Sequence, residues 1–310
     1  MKFSLKNWFN FFSNNQRSNL VSQVNTETQS QAENLIDPVT GRHGLDGLYE
    51  QFAKPQIKGL FEPDAPSIYI NHQAGQKVLG DYVIEQVFED SKTGFYAEGR
   101  VPFNSNHPPV LVIRGYGSWY PFYRVLEDTP DVFIASWEGQ FKSAEKTGAI
   151  AWLKYHTQQG QKPDVIGESL GGKVAQQIVI KYSDYIRSTV TYNSLGISPE
   201  LAKNSQINHI FHYFTLGERY AFWANRGSYL PGYCFQISKQ GINWVYKLEN
   251  KMIAKAKLSE IKTHVKSLNL LQLFWVFLAQ IILLKRHNDI ILNCRSPVVN
   301  PINCNQLHSI

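Results

Sequence analysis

Five apolar runs separated by helical segments constrain the fold of this chain more than any other feature of its sequence. The runs are nearly continuous in apolar residues, as strands covered on both faces require. They read PPVLVIRGYG, DVFIASW, PDVIG, STVTYNSLG and HIFHYFTLG. A segment from about Ala144 to His156 and another after Gly171 carry apolar residues at helical spacing. Strands that alternate with helices predict crossover connections and a mostly parallel sheet, and therefore the α/β class.

A β-hairpin is predicted ahead of these runs. The stretch QKVLGDYVIEQVFEDSKTGFYAEGRVPF alternates apolar and polar residues on both sides of a turn at residues 90–94. The sequence thus indicates a folded domain over residues 37–285 with an N-terminal hairpin extension, followed by a tail over residues 286–310.

The first 36 residues differ in character from the rest. Phenylalanine and tryptophan crowd the opening MKFSLKNWFNFFSNN, which favours either an interfacial helix or a short helix docked on the protein itself. Asn7 and Asn10 interrupt the apolar part and no small-residue cleavage site follows, so a secretory signal is not expected. Residues 13–36 are rich in Ser, Asn, Gln and Thr and predict a flexible linker.

Charge and cysteine content exclude several classes of function. The chain carries 31 Lys and Arg against 25 Asp and Glu, a formal charge of +6, without the basic and aromatic pattern of a nucleic-acid groove. A weak attraction to anionic membrane surfaces is the simpler use of that charge. The three cysteines are scattered with no CxxC, which predicts neither a disulfide framework nor a zinc site but a reducing, cytoplasmic compartment. No cofactor or metal site is predicted.

A second apolar segment, LNLLQLFWVFLAQIILL, covers Leu268–Leu284. It is shorter than the roughly 20 residues of a membrane span and contains Asn269, Gln272 and Gln280. We expect either a buried C-terminal helix or an interfacial helix flanked by Lys285–Arg286, and hence peripheral membrane contact in the second case.

The chemistry of the chain is indicated by Gly167-Glu168-Ser169-Leu170-Gly171, a G-x-S-x-G motif between a predicted buried strand and an amphipathic helix. This is the setting of a nucleophile elbow, in which glycines let strand and helix approach and a sharp turn raises the serine above the sheet. The helix N-terminus then faces the reaction centre and favours a developing oxyanion. An ordinary Gly-Ser turn is the alternative. A P-loop is excluded because no Gly-Lys-Ser/Thr ending follows.

Several segments resemble the class 3 (fungal-type) lipases and their bacterial relatives in the α/β-hydrolase superfamily. VIGESLGGKVAQ is similar to their elbow and VLVIRGYG to their oxyanion strand. VTYNSLGIS is similar to their Thr-Phe-Asn/Gly-small-Pro-Gly segment, and HYFTLGERYAFWANRGSYLPG to the stretch with the triad acid. The resemblance covers about Val110 to Gly232 and implies an α/β-hydrolase-type sheet and serine ester hydrolysis. Glu168 replaces the family's usual His, Tyr116 its Thr or Ser, and Glu218 its Asp.

A catalytic serine needs a base to take its proton and an acid to orient that base. In α/β-hydrolases these follow in the order Ser, acid, His. Glu218 is the predicted acid because it alone follows a buried strand. The other acids after Ser169 are Asp184, Glu200, Glu249, Glu260 and Asp289.

His264 is the predicted base and His287 the reserve, since His209 and His212 belong to a predicted strand. The backbone N–H groups of Leu170 and Tyr116 are the predicted oxyanion donors, by analogy with the family. We expect the Glu168 side chain to lie beneath the helix, in solvent or paired with Lys173, rather than facing the site.

These observations predict a serine ester hydrolase of the lipase or esterase type. It would cleave acyl esters, expected to be those of lipids, through an acyl-enzyme. The alternative is a catalytically silent hydrolase-like module that binds lipid or a protein partner at a membrane surface. The sequence leaves the acyl chain, the head group and the oligomeric state open.

Overall fold

The computed structural model describes residues 35–55, 65–115, 139–203, 207, 209–216, 228–239, 282, 292 and 297–302. The chain divides into two compact units, residues 1–44 and 45–310. In the first unit, Ile36 forms an antiparallel bridge with His43. The Asp37 carboxylate closes the turn between them by accepting the N–H groups of Val39 at 2.8 Å and Thr40 at 3.1 Å.

The second unit contains a sheet and the helices that flank it. The strands are β1 Lys77–Val78, β2 Tyr82–Asp90, β3 Phe95–Pro102, β4 Val110–Ile113, β5 Asp164–Glu168, β6 Ser188–Tyr192, β7 Ile210–Thr215, β8 Tyr233–Lys239 and β9 Pro297–Ile302. The helices are α1 Asp46–Ala53, α2 Ala149–Gln158, α3 Leu170–Tyr182 and α4 Pro199–Lys203. A 3-10 turn, Ser183–Tyr185, follows α3.

Within the described residues the nine strands form one mixed sheet in sequential order from β1 to β9. Strands β4 to β8 are parallel to one another, whereas β1 to β4 and β8 with β9 pair antiparallel. The α/β class is confirmed, and the predicted hairpin is β2–β3. The run DVFIASW lies outside the described residues. The C-terminal ends of β4 to β7 meet at one edge of the sheet, which we call the upper edge.

Strands β8 and β9 were not predicted. Strand β9 falls within residues 286–310, where the sequence indicates a tail, and all six of its residues pair with β8. The predicted helix over residues 144–156 is divided at Gly148, whose φ of 97° lies in the left-handed region that glycine tolerates. Residues 139–146 are helical before this turn and α2 begins after it.

The two faces of the sheet are covered differently. Leu111, Ile113 and Val165 alternate onto the face that packs against α2 and α3, where they form the main apolar core. The opposite face lies under α1 and residues 65–72. On that face the Tyr192 hydroxyl donates to the Asp46 carbonyl of α1 at 2.5 Å.

A buried ionic network fixes residues 65–72 onto β3. Arg100 donates to Glu98 Oε2 from Nη2 at 2.6 Å and from Nε at 3.0 Å, and His72 Nδ1 lies 3.0 Å from Glu98 Oε1. Arg100 Nη1 also donates to the Pro66 carbonyl at 2.7 Å. Burial raises the pKa of Glu98, but the charges of Arg100 and His72 and the hydrogen bonds from them together outweigh burial, and the net pKa lies below its usual value. The segment is thus tied to the sheet by charged hydrogen bonds.

The prediction of reduced cysteines is wrong for Cys234, which forms a disulfide bond. The other two cysteines, Cys294 and Cys304, lie outside the described residues. Sequence spacing was a poor guide because the sheet brings distant segments together: Cys234 on β8 is the register partner of Ile302 on β9. The cysteine pattern therefore no longer supports a reducing compartment.

Among the helices that the structure describes, none has the length and apolar character required to cross a bilayer. The apolar segment Leu268–Leu284 lies outside the described residues except for Ile282, which is buried.

Candidate active site

Ser169 occupies the single residue between the end of β5 at Glu168 and the start of α3 at Leu170. Its backbone has φ 53° and ψ −120°. This is the conformation of the first central residue of a type II′ turn, which glycine normally occupies. A side chain held there costs on the order of 1–3 kcal/mol and persists only where the surroundings fix it. The strained strand-to-helix turn expected for the G-x-S-x-G motif is present.

Three backbone hydrogen bonds fix Ser169 in this conformation. Its N–H donates to the Tyr192 carbonyl of β6 at 3.0 Å. Its carbonyl accepts the N–H of Leu195 at 3.1 Å and that of Lys173, in the first turn of α3, at 3.3 Å. Strand, helix and the loop after β6 therefore all hold the same residue, which is 8% exposed.

The glycines of the motif allow backbone to pack directly on backbone. A Cβ on Gly167 would overlap the carbonyl group of Gly171, and a Cβ on Gly171 would overlap the Ile113 carbonyl and lie 2.7 Å from that of Arg114. The N-terminus of α3 is consequently pressed against the end of β4. Helix geometry leaves the first N–H groups, including that of Leu170, without an acceptor in the helix, so they can bind an anion at the upper edge.

The loop after β6 is held from two sides. Gln176 of α3 donates to Ser194 Oγ at 3.0 Å and to the Leu195 carbonyl at 3.1 Å. Asn193, with φ 45°, accepts the Thr215 N–H at 2.8 Å and donates to the Thr215 hydroxyl at 3.1 Å. Asn193 thereby connects the end of β6 to the end of β7, from which the predicted acid loop departs.

The expectation that Glu168 lies in solvent or beneath the helix is wrong. Its side chain is 1% exposed and accepts a hydrogen bond from the Tyr69 hydroxyl at 2.5 Å. Glu168 pairs in register with Tyr192, whose hydroxyl reaches α1, so the carboxylate lies on the face of the sheet opposite α3. The cause is the period of the strand: Val165 faces α3, and the residue three positions later faces away from it.

The Tyr69 hydroxyl keeps its proton at neutral pH and so remains a hydrogen-bond donor. Burial raises its pKa well above 10, and the charge of Glu168 and the hydrogen bond to it raise the pKa further. Arg114, at the end of β4, lowers the pKa in part. The Arg114 guanidinium itself lies over the Tyr96 ring at 4.2 Å and donates to Asn71 at 3.0 Å.

The places of His212, Asp184 and Glu200 in the fold agree with their exclusion from the predicted triad. His209, which the sequence assigned to the same strand as His212, is exposed and lies one residue before β7. His212 is fully buried between the Thr191 hydroxyl at 2.7 Å from Nδ1 and the Leu230 carbonyl at 3.1 Å from Nε2. Burial lowers its pKa to about 4, so it is a neutral core residue at pH 7. Asp184 lies in the 3-10 turn at the far end of α3 from Ser169, and Glu200 is exposed on α4.

Of the five predicted site residues, Ser169 and Leu170 are described, and the structure joins them as the turn and first residue of α3. Tyr116, Glu218 and His264 lie outside the described residues, as does His287. Their roles stay predictions.

Another buried serine, Ser188, is bonded to a carboxylate at the opposite edge of the sheet from Ser169. Ser188 donates to Asp164 Oδ1 at 2.7 Å, but both residues begin their strands, so they lie far from Ser169. Asp164 also accepts hydrogen bonds from Arg187 Nε at 2.9 Å and from the Tyr49 hydroxyl at 2.7 Å. Ser188 and Asp164 therefore belong to a structural ion cluster, since the Arg187 guanidinium already neutralises the Asp164 carboxylate.

Two residues of the site were missed from the sequence. Tyr69 comes from a loop without any motif and gave no signal. Asn193 lies in the segment VTYNSLGIS that carries the family resemblance, so its position could have drawn attention to it.

No family model matches the chain, and no curated protein matches it. The structure is similar to those of fungal lipases. Lip2 lipase from Yarrowia lipolytica is 16% identical over 66% of this chain and 80% of its own, with a TM-score of 0.43. Lipase II from Rhizopus niveus is 13% identical over 70% and 82%, with a TM-score of 0.43, and the lipase from Rhizopus microsporus var. chinensis is 12% identical over 71% and 76%, with a TM-score of 0.40. Because the sequence identities and TM-scores are low, the reaction has to be inferred from the residues around Ser169.

Proposed function

We propose that this protein is a serine ester hydrolase of the lipase or esterase type, with Ser169 as its nucleophile. The observation that carries the proposal is the strained backbone of Ser169, fixed by three hydrogen bonds at the N-terminus of α3. An ordinary turn would relax by placing glycine there. Strain of this kind is retained where the geometry of the side chain serves a function.

The proposed reaction proceeds through an acyl-enzyme. The Ser169 hydroxyl attacks the ester carbonyl while His264 takes its proton and then returns it to the leaving alcohol. Glu218 orients the imidazole and stabilises its charged form. The N–H groups of Leu170 and Tyr116 bind the oxyanion, and water then releases the acid in the reverse sequence.

The position of Glu218 along the chain is compatible with this role. It follows the last residue of β7, Thr215, by three positions, a span of at most about 11 Å. Strands β5 and β7 are two strand spacings apart, about 10 Å, and end at the same edge of the sheet. An acid in this loop can therefore be reached by a histidine that also contacts Ser169.

The proposed substrates are acyl esters of lipids, met at a membrane surface. The charge of +6 and the apolar segments at residues 1–12 and 268–284 favour peripheral contact with anionic lipid. Comparison of p-nitrophenyl butyrate in solution with a short-chain triglyceride emulsion would test the preference for an interface.

Labelling with a fluorophosphonate tests the proposal directly, because only an activated serine reacts. We expect the wild type to be labelled and to hydrolyse p-nitrophenyl butyrate, and Ser169→Ala to lose both. Ser188→Ala is the matched control: it also removes a buried serine hydroxyl, at the opposite edge of the sheet, and should keep both activities. A folded wild-type protein that is neither labelled nor active would overturn the proposal.

The second candidate is the silent binding module. It is favoured by one observation, the buried carboxylate of Glu168 directly before Ser169, which could oppose negative charge in the transition state. Binding of the unlabelled, inactive protein to anionic vesicles would support it.

A further inference from the structure

Gly115, the last described residue after β4, is enclosed by two side chains from other parts of the fold. A Cβ at this position would overlap the Tyr69 hydroxyl and lie 2.6 Å from Glu168 Oε2. The same two atoms are hydrogen-bonded to each other at 2.5 Å. The hydrogen bond between Tyr69 and Glu168 therefore lies directly against the backbone of Gly115.

Both members of this pair are held rigidly. Glu168 is the last residue of β5 and precedes the locked turn at Ser169. Tyr69 belongs to the segment that the buried Arg100 ties to β3 through the Pro66 carbonyl, with His72 bonded at its other end. A rigid pair that contacts a backbone on one side can limit where that backbone lies.

We propose that Tyr69 and Glu168 are positioning residues that fix the backbone of Gly115, the residue directly before the predicted second oxyanion donor. This inference rests on the proposed function. It assigns Glu168 a role at the elbow that does not require its charge, since the carboxylate acts as an acceptor for Tyr69. Neither residue takes part in the proton transfers.

The expected kinetic signature is a loss in kcat with little change in KM. Removal of an oxyanion donor lowers kcat by roughly 100- to 1000-fold, and a donor that is displaced rather than removed loses part of this. We expect Tyr69→Phe to lower kcat for p-nitrophenyl butyrate by about tenfold or more, with KM within twofold, because the ground-state ester gains little from this donor.

Tyr49→Phe is a closely matched control. Like Tyr69, Tyr49 donates its hydroxyl to a carboxylate of β5, at 2.7 Å, but to Asp164 at the other end of the strand. It should lower the melting temperature while leaving kcat within twofold. Glu168→Gln, which retains an oxygen acceptor, should stay within a few-fold of the wild type, and Glu168→Ala should behave as Tyr69→Phe. The double variant Tyr69→Phe/Glu168→Ala should lose no more than either alone, because the two act as a pair.

The outcomes separate the inference from the proposed function. An inert, unlabelled wild type would overturn both. An active wild type with Tyr69→Phe and Tyr49→Phe equal in kcat would overturn the inference alone. A gain in kcat from Glu168→Gln would also overturn it, because the carboxylate charge would then be opposing the oxyanion rather than holding Tyr69. Melting temperatures of all variants distinguish misfolding from a kinetic effect.

Discussion

Asp164 and Glu168 stand at the two ends of β5, on the same face of the sheet, and each accepts a hydrogen bond from a tyrosine hydroxyl. Asp164 is additionally neutralised by Arg187, whose Nη2 donates to Oδ2 at 2.5 Å. The first carboxylate fixes the start of the strand, and the second lies beside the proposed nucleophile. One strand thus combines a structural anchor at its lower end with a candidate site at its upper end.

Replacement of Ser169 by glycine should stabilise the protein relative to replacement by alanine. Glycine adopts φ 53° and ψ −120° without the steric penalty that a Cβ meets there, so we expect Ser169→Gly to exceed Ser169→Ala by about 1 kcal/mol in the free energy of unfolding. Urea denaturation measures the difference. At Ser188, the first residue of β6, the order should be reversed; the same order at both positions would contradict the strain at Ser169.

The predicted base is tested by two histidine variants. His264→Ala should lower kcat for p-nitrophenyl butyrate about as far as Ser169→Ala, on the order of 10⁶-fold, because triad members act as a unit. His287→Ala should retain most of the activity. If His264→Ala is nearly normal and His287→Ala is inactive, the base has been assigned to the wrong histidine.

Acidification should destabilise the protein through His212. Its pKa of about 4 lies below the usual 6.5, so the unfolded chain binds a proton that the folded chain does not, and stability falls between pH 6.5 and 4. At pH 4.5 this effect of His212 lowers the free energy of unfolding by about 2–3 kcal/mol relative to pH 7. Urea denaturation at pH 7 and pH 4.5 should show a smaller loss for His212→Gln than for the wild type. Equal losses would mean that His212 is protonated in the folded state.

Reduction of the Cys234 disulfide should lower stability by about 2–5 kcal/mol. We expect dithiothreitol to lower the melting temperature of the wild type and to leave that of Cys234→Ser unchanged. Peptide mapping under non-reducing conditions would identify whether Cys294 or Cys304 is the partner. A wild type with three free thiols after folding in air would contradict the bond.

The parts of the fold that were predicted are those with a local cause. Strands β4 to β7 are buried on both faces, so the sequence shows each of them as an apolar run. The turn at Ser169 was predicted from a motif of five residues. Strand β9 was missed because Pro297 and Pro301 argue against a strand, although prolines are tolerated at the edge of a sheet, where β9 lies among the strands that the structure describes.

The parts of the site that were not predicted depend on distant segments. Tyr69 lies 99 residues before Glu168, and only the folded loop brings them together. The burial of Glu168 follows from the same loop, which nothing in the neighbourhood of the motif reveals. Pairing of Cys234 likewise required the sheet, since no spacing rule connects it with either of the other cysteines.

Strand β9 covers the outer edge of β8, although it lies far after β8 in the chain. All six residues of Pro297–Ile302 pair with β8, so a chain that stops before residue 297 leaves the outer N–H and C=O groups of β8 uncovered. An uncovered strand edge is a template for pairing with another molecule. Chains that lack β9 would therefore expose an adhesive edge and be retained by chaperones or lost as aggregates, whereas chains that contain β9 cover this edge themselves.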